Sequence, residues 1–182
     1  MASIDVLRAV YHPTRRRIID MLYLVGPCQV GTLARELGEQ VGSVSHHLRM
    51  LERAGVVARA PELAADGRTS WWRLEQTAMS WSVDDFDDPA DRTQARAAER
   101  LNIDHQLGRL AAWKRGAEKA DPEWRQAAFA TDFLAMATSE ELRSLQEAVT
   151  SAMRQWREDL PEEPDGERRP VLVFAHGFPT RP

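Results

Sequence analysis

A single cysteine, Cys28, stands among 182 residues, which excludes an intrachain disulfide and fits a reducing compartment. Lysine is nearly missing too. Lys114 and Lys119 are two of the 24 basic residues, a bias toward arginine that reads as codon usage in a GC-rich genome rather than as chemistry. No run of about 18 apolar residues occurs, so no membrane-spanning helix is expected. The opening Met1-Ala2-Ser3-Ile4-Asp5 lacks the basic region and apolar core of a secretory leader, and the expected location is the cytoplasm. Repeats and low-complexity tracts are absent. There is no glycine-rich phosphate loop, no Gly-x-Ser-x-Gly elbow, no paired carboxylates in an apolar setting and no Cys-His arrangement, so neither catalysis nor a bound cofactor is expected. Ala175-His176-Gly177-Phe178 faintly resembles a hydrolase His-Gly element, but no nucleophile elbow follows it.

What is present suits a soluble globular protein: 43% hydrophobic and 29% charged residues, enough for one small domain and a second, smaller unit. The formal net charge of −4 is unevenly spread. Residues 1–80 carry ten Arg against eight acidic residues, whereas residues 81–182 carry 14 basic against 20 acidic. The N-terminal part is therefore net positive, and a polyanion remains an admissible partner for it.

Residues 30–57 carry the sharpest pattern. Leu33, Ala34 and Leu37 fall on one face of a short helix, and Gly38 supplies a left-handed C-terminal position. A second helix follows in which Val41, Val44, Leu48 and Leu51 form one narrow stripe, at about 100° per residue. Gly42, Ser43, His46, Arg49, Met50 and Arg53 point the other way. This is a helix-turn-helix whose second helix offers a polar, basic face to a major groove. Gly55 ends that helix, Val56 to Arg59 has strand character, Asp66-Gly67 marks a hairpin turn, and residues 68–74 form the return strand. Upstream, Leu7, Val10 and Tyr11 belong to a short helix closed by His12-Pro13. Thr14 is expected to cap a second helix whose Ile18, Ile19, Met21 and Leu22 pack inward. The expected fold is mainly α (α+β): a winged helix-turn-helix with a hairpin wing, over residues 1–80.

The acidic stretch at 81–91, with Asp84, Asp85, Asp87 and Asp88, reads as a solvated linker. Residues 92–182 are expected to be a helical dimerisation and effector extension. A long helix over 90–120 shows two apolar faces, Ala98, Leu101, His105 and Ala112 on one and Ile103, Leu107 and Leu110 on the other. Two faces imply two partners, its own domain and a second copy. Residues 129–137 read as strand or irregular. Thr138 and Glu141 have capping-box spacing ahead of a helix to 158 with Leu142, Leu145, Val149, Met153 and Trp156 on its buried side, and 171–175 read as a closing strand.

Candidate DNA contacts follow from this layout. His46 lies opposite the core stripe and is expected at base edges; His47, on the flank, is expected at phosphate or a core edge. Gly42, Ser43 and Ser45 lie near the positive helix N-terminus, and Arg15, Arg49 and Arg68 are expected to neutralise phosphates. Of Arg15, Arg16 and Arg17, at least one should reach the DNA backbone. Trp71 and Trp72 alternate across the return strand, so packing is their expected role. Trp113, Trp124, Phe129, Phe133 and Trp156 are candidates for an apolar effector pocket, with ordinary core as the alternative. A winged helix used to bind another protein is the rival reading, although such a helix usually exposes large apolar anchors.

The run Leu7, Val10, His12-Pro13, Arg15-Arg16, Ile18, then Val44-Ser45-His46-His47-Leu48-Arg49, Leu51, Ala54-Gly55-Val56-Val57, Asp66-Gly67-Arg68 and Trp71-Trp72-Arg73, resembles the ArsR/SmtB family of bacterial winged-helix repressors. The resemblance covers roughly residues 4–75 and departs at Glu39, Val41 and Gly42. It implies a homodimer on an inverted-repeat DNA site, and Phe178-Pro179 resembles the ending of a branch with a C-terminal extension. It also raises metal sensing. The thiol pair of arsenical-sensing members is reduced here to Cys28, and the dimer helix offers only Asp104, His105 and Glu99. No metal site is expected, and a metal-responsive repressor stays the alternative to an organic effector.

Overall fold

The Ser3 hydroxyl accepts a hydrogen bond from the Val6 N–H at 3.3 Å and so starts the first helix, α1, Ile4–Val10. His12-Pro13 stops it, because a residue before proline is pushed out of the helical region. Pro13 then takes the first position of α2, Pro13–Val25, with His12 as its N-cap. Thr14 is therefore not the cap expected from the sequence; the fixed φ of Pro13 begins the helix a residue earlier.

In the computed structural model, which describes residues 3–64, 70–75, 81–161 and 167–181, the chain divides into two compact units, Met1–Ala111 and Ala112–Pro182. The first unit continues through β1, Cys28–Gln29; α3, Val30–Leu37; α4, Val41–Arg53; β2, Val57–Arg59; a 3-10 turn, Pro61–Leu63; and β3, Trp71–Leu74. The fold class is the expected one, mostly helical with a small antiparallel sheet. Its strand order is β1-β3-β2, with Val57 opposite Leu74 and Arg59 opposite Trp72 on one edge of β3, and Cys28 opposite Trp72 on the other. Strand β1 was not foreseen: two residues are too few to show a period. The expected turn at Asp66-Gly67 lies outside the described residues.

One core joins these elements. Ile18 and Leu22 of α2, Leu33, Ala34 and Leu37 of α3, Val44, Leu48 and Leu51 of α4, and Val57, Cys28 and Trp72 of the sheet are all buried in a single cluster. Val41, expected in the stripe, is 51% exposed. At the first position of α4 it precedes the turn that meets the core. Trp72 faces inward and Trp71 is half-buried, the alternation a pleated strand imposes.

The acidic stretch is anchored rather than free. A 3-10 turn at Val83–Asp85 is closed by a Ser82–Asp85 capping box, and Phe86 is 8% exposed in a second cluster with Leu7, Ala95 and Ala98. The Trp81 Nε1–H donates to the Tyr11 hydroxyl at 3.0 Å, with the two rings 5.8 Å apart. These contacts pin the start of α5, Pro89–Gly116, to α1. Further along, Asp20 of α2 accepts from Arg109 Nη2 at 2.7 Å and pairs with Arg16 Nε at 3.3 Å.

The second unit holds the last residues of α5, a 3-10 turn at Ala117–Lys119, α6, Pro122–Ala127, and α7, Ser139–Glu158. The Thr138–Glu141 capping box is present as expected. Residues 129–137 are irregular, and the closing strand expected at 171–175 does not form. An alternating apolar run becomes a strand only with a pairing edge, and the described residues of this unit offer none. Nor does α7 have the buried side expected of it: no residue is fully buried, and Leu142, Val149 and Met153 are only half-buried.

Leu48 is fully buried at the centre of the first core. Leu48→Ala should cost about 2–5 kcal/mol by chemical denaturation, whereas Val41→Ala should stay within about 0.5 kcal/mol. Comparable losses for the two would place Val41 in the core.

Candidate nucleic-acid interface

Leu37 is followed by Gly38 at φ 67° and ψ 31°, a left-handed conformation in which its N–H reaches the carbonyls of Ala34 and Arg35. Glu39 N–H also bonds the Ala34 carbonyl, at 2.9 Å. The chain turns tightly there, and α4 leaves with Gln40 as an N-cap that makes no side-chain bond. The first N–H groups of α4 are thus not capped by Gln40 and stand at the positive end of a 13-residue helix.

Burial of Val44, Leu48 and Leu51 fixes which way α4 faces. Gly42, His46, Arg49 and Arg53 are exposed as expected, and Ser43, Ser45, His47 and Met50 are half-buried along the edges. Arg49 lies along its own helix, with Nε donating to the Ser45 carbonyl at 3.1 Å. Val41 joins this surface as an exposed apolar residue beside Gly42. The sequence signal for it was present, since it sits a turn ahead of Val44, but helix periodicity alone assigned it inward.

The three arginines that open α2 are all engaged within the chain. Arg15 donates from Nε to the Ala9 carbonyl at 2.5 Å and from Nη2 to the Arg8 carbonyl at 2.7 Å, satisfying the open C-terminal end of α1. Arg16 pairs with Asp20 and lies over the Tyr11 ring at 5.9 Å. Arg17 bridges α2 to the helix-turn-helix turn, with Nη2 donating to the Leu37 carbonyl at 2.7 Å and Nη1 3.4 Å from Glu39 Oε1. Arg15, expected on a phosphate, is thus turned toward α1. Arg68 lies outside the described residues. On the sheet, Arg73 pairs with Glu62 at 2.6 Å and Glu75 at 3.0 Å, and Arg59 covers the Trp72 ring at 5.1 Å.

His12 and His47 meet between the start of α2 and the middle of α4, ring centroids 4.9 Å apart at 37°, and His46 stands edge-on to His47 at 5.6 Å. The Nδ1 atoms of His12 and His47 are buried without a hydrogen-bond partner. Burial, and after it the nearby Arg15 cation, lowers the pKa of both; Glu39 pulls His47 the other way with smaller effect. Both rings are therefore held neutral near pH 7.

Elsewhere the predicted groups scatter. Trp113 and Trp124 are half-buried, and Arg169 lies over Trp124 at 5.6 Å while pairing with Asp121 at 2.6 Å. Phe129, Phe133 and Trp156 are 76%, 70% and 52% exposed, so they wall no enclosed cavity within one chain. Burial pushes the Cys28 thiol above its ordinary pKa, which disfavours the thiolate a metal would need. His105 stands 3.8 Å from the Asp20 carboxylate. Among the described residues no three His, Cys, Asp or Glu gather as a metal would require, and no helix is long and apolar enough to cross a membrane.

Residues 12–59, the stretch that builds this surface, match the model of a family described as bacterial regulatory protein, arsR family. The transcriptional repressor SdpR of Bacillus subtilis (strain 168) is 30% identical over 79 residues, which are 43% of this chain and 82% of SdpR. Among solved structures, a "Possible transcriptional regulator for arsenical resistance" is 31% identical and covers 59% of this chain and 94% of its own, with a TM-score of 0.34. A MarR family transcription regulator is 17% identical, covering 85% of this chain and 77% of its own, with a TM-score of 0.36.

The neutral histidines set a pH dependence. Because their folded-state pKa values lie below the ordinary 6.5, the folded chain binds fewer protons than the unfolded one. Stability is then complete above about pH 6.5 and declines as pH falls through the lowered folded values. Thermal melts should show this acid decline, and His47→Gln should make it shallower; an unchanged slope would mean that the pair is not proton-linked to folding.

Proposed function

The chain belongs to the arsR family of bacterial regulatory proteins and is a winged-helix transcriptional regulator rather than an enzyme, and from that premise we propose a dimeric repressor that reads an inverted-repeat operator through α4. The observation that carries the proposal is the division of α4: Val44, Leu48 and Leu51 wholly withdrawn into the core and, opposite them, an uncovered face of Gly42, His46, Arg49 and Arg53 with half-buried Ser43 at its edge. Polar and guanidinium groups with little apolar anchorage suit a groove edged by phosphates better than a protein surface. Repression as the direction of control is taken from the similarity to SdpR.

Contacts divide by chemistry. His46 and Ser43 read base edges, and Gly42 lets the backbone of α4 approach closely. The exposed methyls of Val41 suit a thymine methyl in the major groove. Arg49 and Arg68, with Ser45, His47 and the uncapped N–H groups of α4, hold phosphates; these position the helix without reading sequence. Arg15 supports this surface by fixing α1 against α2 instead of touching DNA.

The dimer is expected through the outer stripe of α5, where Leu107 and Leu110 are 52% and 41% exposed and Ile103 is half-buried beside them. The described residues leave that stripe partly uncovered, which suits a second copy. An apolar organic effector, with no metal, is the expected signal, bound near Trp113, Trp124, Phe129, Phe133 or Trp156. A second copy must close any such site, since one chain leaves three of these rings uncovered.

Light scattering should give twice the 20.6 kDa chain mass, and Leu107→Asp should lower it toward the monomer. On a duplex selected for tight binding, His46→Ala should cost about 1–3 kcal/mol while leaving binding to a scrambled duplex nearly unchanged. Arg68→Ala should weaken both duplexes and reduce the log–log salt slope by about 0.9. If the two variants behave alike the roles assigned here are wrong, and if neither matters α4 is not the DNA-reading element.

A further inference from the structure

His12 caps α2 and His47 lies midway along α4, and their half-buried rings meet with centroids 4.9 Å apart at 37°. Each has a buried Nδ1 with no hydrogen-bond partner among the described residues. A buried polar atom left unpaired costs free energy that an aliphatic side chain in the same place avoids, so packing alone is a poor reason for two imidazoles here. With Nδ1 inside, Nε2 is the nitrogen each ring can offer outward.

The groups around the pair keep it unprotonated in the free chain. Arg15 of α2 is the cation that acts on both rings, and its bonds to the Ala9 and Arg8 carbonyls of α1 hold it in place. Glu39, ahead of α4, acts on His47 in the opposite sense, but its carboxylate is held 3.4 Å from Arg17. His46 of α4 stands edge-on to His47 at 5.6 Å. An anion at the outer edge of the pair would reverse the balance.

We propose that His12 and His47 form a proton-uptake site that a DNA phosphate completes: binding draws one proton from solvent onto the pair at each α4, and the chain holds DNA more tightly in mild acid than at neutral pH. This rests on the reading of α4 as the DNA-facing helix and adds His12, which that reading leaves unused.

Phosphate suits the pair chemically. The Arg15 guanidinium that opposes a proton attracts a phosphate. An imidazolium bonds a phosphate oxygen with charge assistance, which a neutral ring cannot. An opposite charge within about 4–6 Å favours the charged form by about tenfold or more, enough to offset Arg15. One proton is expected rather than two, because two cationic rings 4.9 Å apart repel. A metal ion is a poorer occupant, since no third ligand gathers with the pair among the described residues. The sign follows from linkage: the bound pair holds a proton more tightly than the free pair, so affinity rises as pH falls through the bound-state pKa and levels off below the free-state one. Fold stability moves the other way, so the two effects separate.

Binding of the full chain to a selected duplex at constant salt, with folding checked by circular dichroism, should be about fivefold to tenfold tighter near about pH 6 than near about pH 7.5. The double variant His12→Gln with His47→Gln should flatten this dependence to within about twofold. His46→Gln should weaken binding yet keep the dependence. If the double variant does not fold, ring-proton resonances of the unaltered chain give the same answer: His12 or His47 should titrate at higher pH with duplex than without, and His105, on α5, should not follow. Binding independent of pH, or a dependence that survives the double variant or vanishes with His46→Gln alone, would overturn the proton site and leave α4 as the DNA contact. If His46→Ala and Arg49→Ala leave binding unchanged, the α4 reading fails and the proton site falls with it.

Discussion

Three side chains on one helix, Val44, Leu48 and Leu51, set everything the N-terminal unit can do. Each is fully withdrawn from water among Ile18, Leu33, Val57 and Trp72, and together they fix the rotation of α4 about its axis. Burying three such side chains contributes about 1.5–3 kcal/mol each, enough that α4 cannot roll without exposing them. The polar face is what remains. Gly42, His46, Arg49 and Arg53 are outward because the other side of the helix has no freedom to be.

The charge near that face is arranged with similar constraint. Arg15, Arg16 and Arg17 follow one another in sequence, yet each goes to a different place: the end of α1, Asp20, and the turn between α3 and α4. Arginine suits this because one planar fork can satisfy two acceptors at once. The bonds of Arg15 and Arg17 end on backbone carbonyls at helix C-termini, which would otherwise lack partners. A cluster that looks in sequence like a cationic patch is thus a set of three tethers. Of the described cations near that face, Arg49 and Arg53 of α4 are the exposed ones left for a polyanion.

Much of this was legible in the residues. The stripe Val44, Leu48, Leu51 follows helix periodicity, Gly38 and Gly55 announce their breaks, and the Thr138–Glu141 box announces α7; all depend on neighbours close in sequence. What was not legible depends on distant partners. Val41 has the right period and the wrong depth, because depth is set by where α2 and α3 end. Strand β1 exists only because β3 pairs with it. Trp81 and Phe86 sit in a stretch whose four aspartates suggest solvent, yet Tyr11, Leu7, Ala95 and Ala98 fold it down. The candidate site followed the same rule: Val41 apart, which side of α4 is exposed follows its own pattern, while the bonds of Arg15 required knowing that α1 ends beside it. In the C-terminal unit, Val171 to Ala175 had strand composition but no edge to join.

Selection from a pool of random duplexes by this chain decides whether two copies of α4 meet DNA as a symmetric pair. A symmetric pair enriches an inverted repeat whose half-sites lie about one helical turn, roughly 34 Å, apart. Enrichment of a single unpaired half-site, or of no sequence over the starting pool, would contradict it.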